Sequence, residues 1–347
     1  MPPFRHAIFE AACSDLGVLL EKHPLPELAG GRLFATGCTG FFGYWLLAAL
    51  ECVNRNGQAI EVVVLSRDPQ AFLNRHPEFR HLPWLSFVKG DVANFDRPNG
   101  RFDGVIHGAT DASPQAAANP SSLLASMIDG TRRVLDMLAD SDCRRFLLIS
   151  SGAVYGNQPA TIPALIEDAS VAGDSLSPAN AYGEGKRIME MLCACRAGAK
   201  VPPPVVARCF AFLGPHLPNH LAPAQFLNDA LAGGPIVLRG DGSPLRSYLY
   251  AADLAIWLLT LLARGRPGRA YNVGGTDAIS LADLAGVIRD TAAPGTTIDI
   301  RGADSGAPRH RYLPDTGRAR LELGLEVWTP LPVAIARMAA ASSPQPQ

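Results

Sequence analysis

Leu33-Phe34-Ala35-Thr36-Gly37-Cys38-Thr39-Gly40-Phe41-Phe42-Gly43 decides the fold of this 347-residue chain. A short apolar run enters a glycine-rich turn, and the turn opens into a helical pattern that continues from Phe42 to Val53. Glycine at such a junction lets backbone N–H groups approach a phosphate closely, and the helix N-terminus behind it favours negative charge. The Gly-x-x-Gly-x-x-Gly spacing is not the commonest dinucleotide form, so the strand–turn–helix setting carries as much weight as the glycines.

Outward from this turn the same rhythm repeats. Short apolar runs recur at Glu61–Leu65, Leu85–Val88, Gly104–His107, Phe146–Ser150 and Val205–Arg208, with helical patterns at Ser121–Asp140 and Ala181–Arg196 between them. Continuous apolar runs, rather than alternating ones, suit strands buried on both faces of a parallel sheet. The alternation predicts an α/β fold, a Rossmann-type doubly wound parallel sheet with a smaller C-terminal substrate-binding lobe. Residues 1–30 read as an N-terminal extension with a helix over Ile8–Leu20, and 31–211 as the dinucleotide-binding domain. Residues 212–340 form mainly the lobe, with helices at Ala224–Ala232, Ala251–Arg264 and Leu281–Ala292. Segments around 246–275 are expected to return to the first domain, and 341–347 to form a flexible tail.

Composition narrows the function. Hydrophobic residues make up 48% and charged residues 18%, which supports a core and excludes wholesale disorder. Lys+Arg is 31 against Asp+Glu 32, a balance that argues against nucleic acid or an anionic membrane surface as partner. Seven cysteines, an odd number without a CxxC pair, read as free thiols rather than a disulfide framework or a metal site. Met1–Pro26 lacks a signal-peptide pattern, and the longest apolar stretch, Leu254–Ala263, is roughly half a membrane span. The expectation is a cytoplasmic protein.

The strand ends supply candidate dinucleotide contacts beyond Gly37, Thr39, Gly40, Phe41, Phe42 and Gly43. An acid at the end of the second strand accepts from the 2′-OH of NAD, and a basic residue accommodates the 2′-phosphate of NADP. Here the strand ends Leu65-Ser66-Arg67-Asp68. Either Arg67 faces a 2′-phosphate, or it stacks on adenine; NAD and NADP both stay open. Asp91-Val92 and His107-Gly108-Ala109-Thr110 end the next two strands, where ligands bind in open α/β sheets. Asp91 either accepts from the adenine amino group or caps a turn.

Tyr182-Gly183-Glu184-Gly185-Lys186 starts a helix, and residues four apart share a helix face. The chain has only four lysines, Lys22, Lys89, Lys186 and Lys200. An ammonium near a phenol lowers its pKa from about 10, so Tyr182 is expected to exchange a proton with a substrate hydroxyl while hydride moves to or from nicotinamide. Lys186 is also expected to bond the nicotinamide ribose. Ser151, just past the fifth strand in Ile149-Ser150-Ser151-Gly152-Ala153-Val154-Tyr155-Gly156, adds a hydroxyl that steadies that proton.

With these motifs in order, the chain resembles the extended short-chain dehydrogenases/reductases of the NAD-dependent epimerase/dehydratase family, whose members mostly act on nucleotide sugars. Arg208-x-Phe210-x-x-x-Gly214-Pro215, Arg246-x-Tyr248-x-Tyr250-x-x-Asp253 and Tyr271-Asn272-Val273-Gly274 extend the likeness to about residue 330. The resemblance implies that Arg246 grips a nucleotide diphosphate, with Arg309 of Arg309-His310-Arg311 helping. It also places Tyr155, Gly152 and Ala153 against the substrate, and implies a homodimer paired through Ser121–Asp140 and Ala181–Arg196. Three departures matter. Ala211 stands where the family has Asn, and Met127 replaces another usual Asn. Where 4,6-dehydratases carry Asp-Glu after the Ser/Thr, this chain has Gly152-Ala153, and decarboxylating relatives keep the second acid. The expected function is therefore a nucleotide-sugar 4-epimerase working through a transient 4-keto sugar. An NADPH-dependent 4-ketosugar reductase, a dehydratase or decarboxylase using an acid such as Glu184, and a non-catalytic dinucleotide-binding protein are the alternatives.

Overall fold

The computed structural model describes residues 3–111, 113–303 and 309–342. In chain order α1 (Pro3–Lys22), β1 (Arg32–Thr36), α2 (Phe41–Arg55), β2 (Glu61–Ser66), α3 (Pro69–Arg75) and β3 (Leu85–Lys89) come first. They are followed by β4 (Gly104–His107), α4 (Pro114–Ala117), α5 (Pro120–Ala139), β5 (Arg145–Ser151), α6 (Ala181–Arg196) and β6 (Val205–Cys209). Next are β7 (Ala211–Leu213), α7 (Ala222–Leu231), β8 (Ile236–Leu238), β9 (Leu245–Arg246), β10 (Tyr248–Tyr250), α8 (Ala251–Arg264) and β11 (Ala270–Val273). The chain continues through β12 (Ile279–Ser280), α9 (Leu281–Ala292), β13 (Ile298–Ile300), β14 (Arg311–Tyr312), α10 (Gly317–Leu323) and α11 (Leu331–Ser342). Two compact units result: Met1–Gly156, Ala172–Cys209 and Ala255–Tyr271 form the first, and Asn157–Val171, Phe210–Leu254 and Asn272–Gln347 the second.

The first unit is built on a seven-stranded sheet in the order β11-β6-β5-β4-β1-β2-β3. The pairs β1–β2, β2–β3, β1–β4, β4–β5 and β5–β6 are all parallel. Strand order reverses between β1 and β4, and in such sheets ligands bind beyond the carboxyl ends of the strands at that reversal. Both the glycine turn and His107–Thr110 lie there. Buried runs such as Leu33–Thr36 and Val62–Ser66 explain the lack of polar alternation, since helices cover both faces. α2 buries every residue from Gly43 to Leu50, and α1 packs against it through Phe9, whose ring meets Tyr44 edge-on at 6.5 Å. Arg55 bridges Glu10 of α1 and Glu51 of α2, each at 2.9 Å.

The second unit holds small sheets, β7 with β10, β8 with β13, and β9 between β12 and β14, with α9 packed on α7 and α11. The excursion 157–171 belongs to it. Leu165 N–H donates to the Leu313 carbonyl at 2.8 Å, and the Leu165 carbonyl accepts from Asp315 N–H at 2.8 Å and from the Asn272 amide at 2.7 Å. Asp253 accepts the Trp328 and Thr329 N–H groups, both at 2.9 Å, and the Thr329 hydroxyl at 2.7 Å. α10 and α11 are the last elements of the described residues. α11 reaches Ser342, so residues 341 and 342 of the expected tail are helical, and 343–347 lie outside the described residues. Among the described residues no helix is long and apolar enough to cross a membrane, and no cluster of ligating side chains could hold a metal ion.

Candidate active site

The glycine turn is shaped by close approach. Gly37 has φ +80°, and a Cβ there would meet Gly108 and Ala109 backbone atoms at 2.4–2.6 Å, so the loops after β1 and β4 touch through bare backbone. A Cβ on Gly43 would lie 2.1 Å from Cys38 backbone atoms, which seats the first turn of α2 on the loop. Gly40 differs. It is the N-cap of α2 without a side-chain cap, and a Cβ there would meet only the Gly37 carbonyl oxygen, at 3.8 Å. Open space in front of uncapped helix N–H groups fits a dinucleotide pyrophosphate. Thr39, Phe41 and Phe42 are half-buried around this opening.

His107 does different work from the one expected. It is fully buried, and its contacts assign its protons. Thr131 spends its hydroxyl proton on the Met127 carbonyl at 2.7 Å, so it accepts from His107 Nε2–H at 3.1 Å. Nδ1 is then the acceptor and takes the Thr36 hydroxyl proton at 2.8 Å, leaving Thr36 Oγ1 to accept Ala109 N–H at 3.3 Å. Burial, with Lys186 adding to it, pushes the imidazole down to about 3, so the ring is neutral. As a correction, His107 is a strap joining β1, β4 and α5, and its side chain has no atom to offer a cofactor.

Other expected contacts resolve individually. Asp91 accepts Ala93 N–H at 2.9 Å, the turn-capping alternative. Val92 is buried in the core, where a Cβ on Gly130 would meet its methyl at 2.7 Å. Ser66 is buried and accepts Asp68 N–H at 3.2 Å, while Asp68 caps α3 by accepting Ala71 N–H at 2.9 Å. Arg67 is exposed. Its charge is one of the influences that hold the Asp111 carboxyl below the usual range, after hydrogen bonds from Ser113.

Ser151, Tyr182 and Lys186 meet in the first unit. Ser151 ends β5, is buried, and accepts Ala153 N–H at 3.1 Å. Lys186 is 2% exposed, and its ammonium donates to the Ile149 carbonyl at 2.8 Å and to the Thr110 hydroxyl at 3.0 Å. Burial lowers it to about 8. Tyr182 departs from expectation: burial raises its phenol, and a hydrogen bond with Ser151 opposes that rise. The ammonium is turned to Ile149 and Thr110, 5.9 Å from the Tyr182 ring centre, and does not pull the phenol down. The close fit of α6 also rests on glycine, because a Cβ on Gly183 would stand 2.5 Å from the Ala153 carbonyl oxygen.

Beneath this group lies a network that the sequence reading missed. Glu190, one helical turn after Lys186, accepts the Ser150 hydroxyl at 2.5 Å and the Arg208 Nε–H and Nη2–H groups at 3.1 and 2.7 Å. Arg208 also donates to the Tyr155 hydroxyl at 2.9 Å and lies 5.0 Å over its ring. Tyr155 is 1% exposed, so its expected contact with substrate is corrected to a structural one. The readable signal was Glu190 itself, an acid four residues after Lys186 on the same face.

In the second unit Arg246 is half-buried beside Tyr312, 5.7 Å from that ring. It donates to His310 Nδ1 at 3.2 Å and to the Leu245 carbonyl at 2.8 Å. Desolvation lowers its pKa. No carboxylate pairs with it among the described residues, and a guanidinium in that state favours an anionic ligand. Arg309 is exposed, and its charge contributes to holding Asp241 low.

Known proteins match this picture. The chain is 26% identical over 299 residues to a dTDP-glucose 4,6-dehydratase of Streptomyces antibioticus, covering 84% of this chain and 87% of that one. It is 28% identical over 318 residues to UDP-glucuronic acid decarboxylase 1 of Arabidopsis thaliana, covering 88% and 68%. A solved UDP-glucuronic acid 4-epimerase from Bacillus cereus, in complex with UDP-glucuronic acid and NAD, superposes with a TM-score of 0.75 at 21% identity, covering 89% of this chain and 98% of that one. That likeness speaks for the fold. Residues 33–274, from β1 through β11, match a single family model, and with the glycine turn and the Ser151, Tyr182 and Lys186 group inside that span, the chain belongs to the NAD dependent epimerase/dehydratase family.

Proposed function

We propose that the protein is a nucleotide-sugar 4-epimerase, oxidising a sugar 4-hydroxyl and returning hydride to the other face of the ring. One observation carries this reading: Ser151, Tyr182 and Lys186 lie together, and the residues after Ser151 are Gly152 and Ala153, which bear no proton-transferring group. Loss of water needs a base at C5 and an acid at the leaving oxygen. Glu184, the acid beside Tyr182 in sequence, is engaged with Arg187 at 3.8 Å. Similarity to a 4,6-dehydratase supports chemistry that begins at C4, and leaves the fate of the 4-keto sugar to the residues around it.

Nicotinamide, when bound at the glycine turn, supplies the hydride acceptor and donor. The chain supplies the rest. Tyr182 takes the proton from the sugar O4 and later returns it, and Ser151 holds that oxygen by a hydrogen bond. Lys186, kept by Thr110 and the Ile149 carbonyl, provides a positive charge beside the exchange. Arg246 and Arg309 bind the nucleotide diphosphate.

The test is incubation with UDP-glucose, UDP-glucuronic acid and dTDP-glucose, with products read by NMR and mass spectrometry. Inversion at C4 without net use of dinucleotide is the expected result. A product lighter by water or carbon dioxide would replace this reading with dehydration or decarboxylation.

A further inference from the structure

Lys186 is a buried cation, and the groups that face it come from four elements. They are His107 and Thr110 at the end of β4, the Ile149 carbonyl on β5, Cys209 at the end of β6, and Tyr182 and Glu190 on α6 itself. Cys209 is the register partner of Ser151, so its thiol lies in the floor of the site. Burial pushes that thiol up to about 12, which leaves it neutral at working pH. His107 is neutral as well. Tyr182 is a neutral phenol. Among these described residues, Glu190, four residues on along the same helix, is thus the one whose charge is opposite to that of the ammonium and acts to keep it.

The Glu190 carboxylate is also the centre of the clamp. It accepts from Ser150, the neighbour of Ser151, and from Arg208, the neighbour of Cys209. One side chain therefore ties α6 to the ends of β5 and β6, directly below the residues assigned to proton exchange. Its side chain and that of Arg208 are 16% and 17% exposed, so water screens this pair weakly.

We propose that Glu190 is the counter-charge and positioning residue of the catalytic helix, holding Lys186 in its charged form while anchoring α6 to the two strand ends. Its importance for turnover rests on the epimerase reading above. Its effect on Lys186 does not, and can be measured without sugar or dinucleotide.

The lysine-poor sequence makes that measurement direct. Protein labelled with 13C-lysine gives four side-chain signals, and the signal lost in Lys186→Met belongs to Lys186. Its wild-type midpoint is expected near pH 8. In Glu190→Gln, with the fold verified by circular dichroism, the midpoint should fall by roughly half to one pH unit, because a nearby opposite charge is lost. Glu190→Asp, which draws the charge back by one methylene, should give a smaller fall and carries the test if the Gln variant does not fold. A merely structural clamp would loosen on mutation, let water in and send the midpoint up toward the ordinary lysine value. A midpoint that stays in place or rises overturns the proposal, whatever sugar the enzyme uses.

Discussion

Two side chains, Tyr182 and Arg67, show how neighbours set chemistry. Tyr182 is a half-buried phenol whose desolvation raises its pKa while a hydrogen bond with Ser151 opposes the rise, so it must give up its own proton before it can take the one on the sugar O4. Tyr182→Phe removes that hydroxyl alone. Turnover should drop by at least about two orders of magnitude, the scale of a lost general acid–base group, while dinucleotide binding measured by fluorescence survives. Arg67 poses a separate question. Asp68 caps α3 and Ser66 accepts the Asp68 N–H, which leaves the exposed Arg67 as the side chain to test for discrimination at the ribose. If it meets a 2′-phosphate, Arg67→Ala should weaken NADPH by roughly 10- to 100-fold more than NADH, as one charge-assisted contact is worth about 1.5–3 kcal/mol. Equal weakening would assign it to adenine stacking. The grouping of Tyr182, Lys186 and Ser151 was legible because motif spacing on a helix and a strand end brings them together. The direction of the Tyr182 shift was not, because burial and the exact aim of an ammonium are tertiary facts.

At the scale of elements, the His107 strap illustrates why strand ends can look functional. A histidine at the carboxyl end of a strand, beside the reversal of strand order, has the position of a ligand contact, yet both ring nitrogens are consumed by Thr36 and Thr131. The strap has a pH signature. The folded ring titrates near 3 against an unfolded reference of 6.5, so between those values only the unfolded chain takes up the proton. Its contribution is intact above pH 6.5 and drains away as pH falls toward 3, at about 1.4 kcal/mol per pH unit. His107→Gln keeps a donor and an acceptor but cannot titrate. The variant should be less stable at pH 7, and its unfolding free energy should fall less steeply on acidification, by close to one proton. Parallel slopes for the two proteins in urea melts between pH 4 and 6 would mean the ring is charged in the fold. Strands β1 to β6 and helices α2, α5 and α6 were readable because long apolar periodicity determines them. The two-residue strands β9, β12 and β14 carry no such pattern and exist only because neighbouring segments complete their hydrogen bonds.

For the molecule as a whole, sequence order and spatial grouping diverge at 157–171, which leaves the first unit to join the second through Leu165, Glu167 and Asn272. Nothing local in that Pro-rich stretch signals the excursion, since its partners lie more than 100 residues away. The N-terminal helix teaches the opposite lesson. Read as an extension, α1 carries Phe9, Ala12, Leu16 and Leu20, all buried, and covers the face of α2 that would otherwise expose Tyr44. Leu16 is completely inaccessible. Leu16→Ala should therefore cost about 2–5 kcal/mol, the range for a buried leucine whose cavity cannot collapse, rather than the few tenths expected of a loosely attached arm. In urea denaturation the whole first unit should shift to a lower midpoint with one transition, and dinucleotide binding below that midpoint should be unchanged. An early, separate transition would show α1 detaching on its own. A loss under 1 kcal/mol would mean that α2 finds other cover. Because α2 begins at the glycine turn, the same packing that hides α1 holds the N–H groups of Gly40 to Gly43 in place, and so a helix far from Ser151 and Tyr182 in sequence braces the turn proposed to receive the dinucleotide.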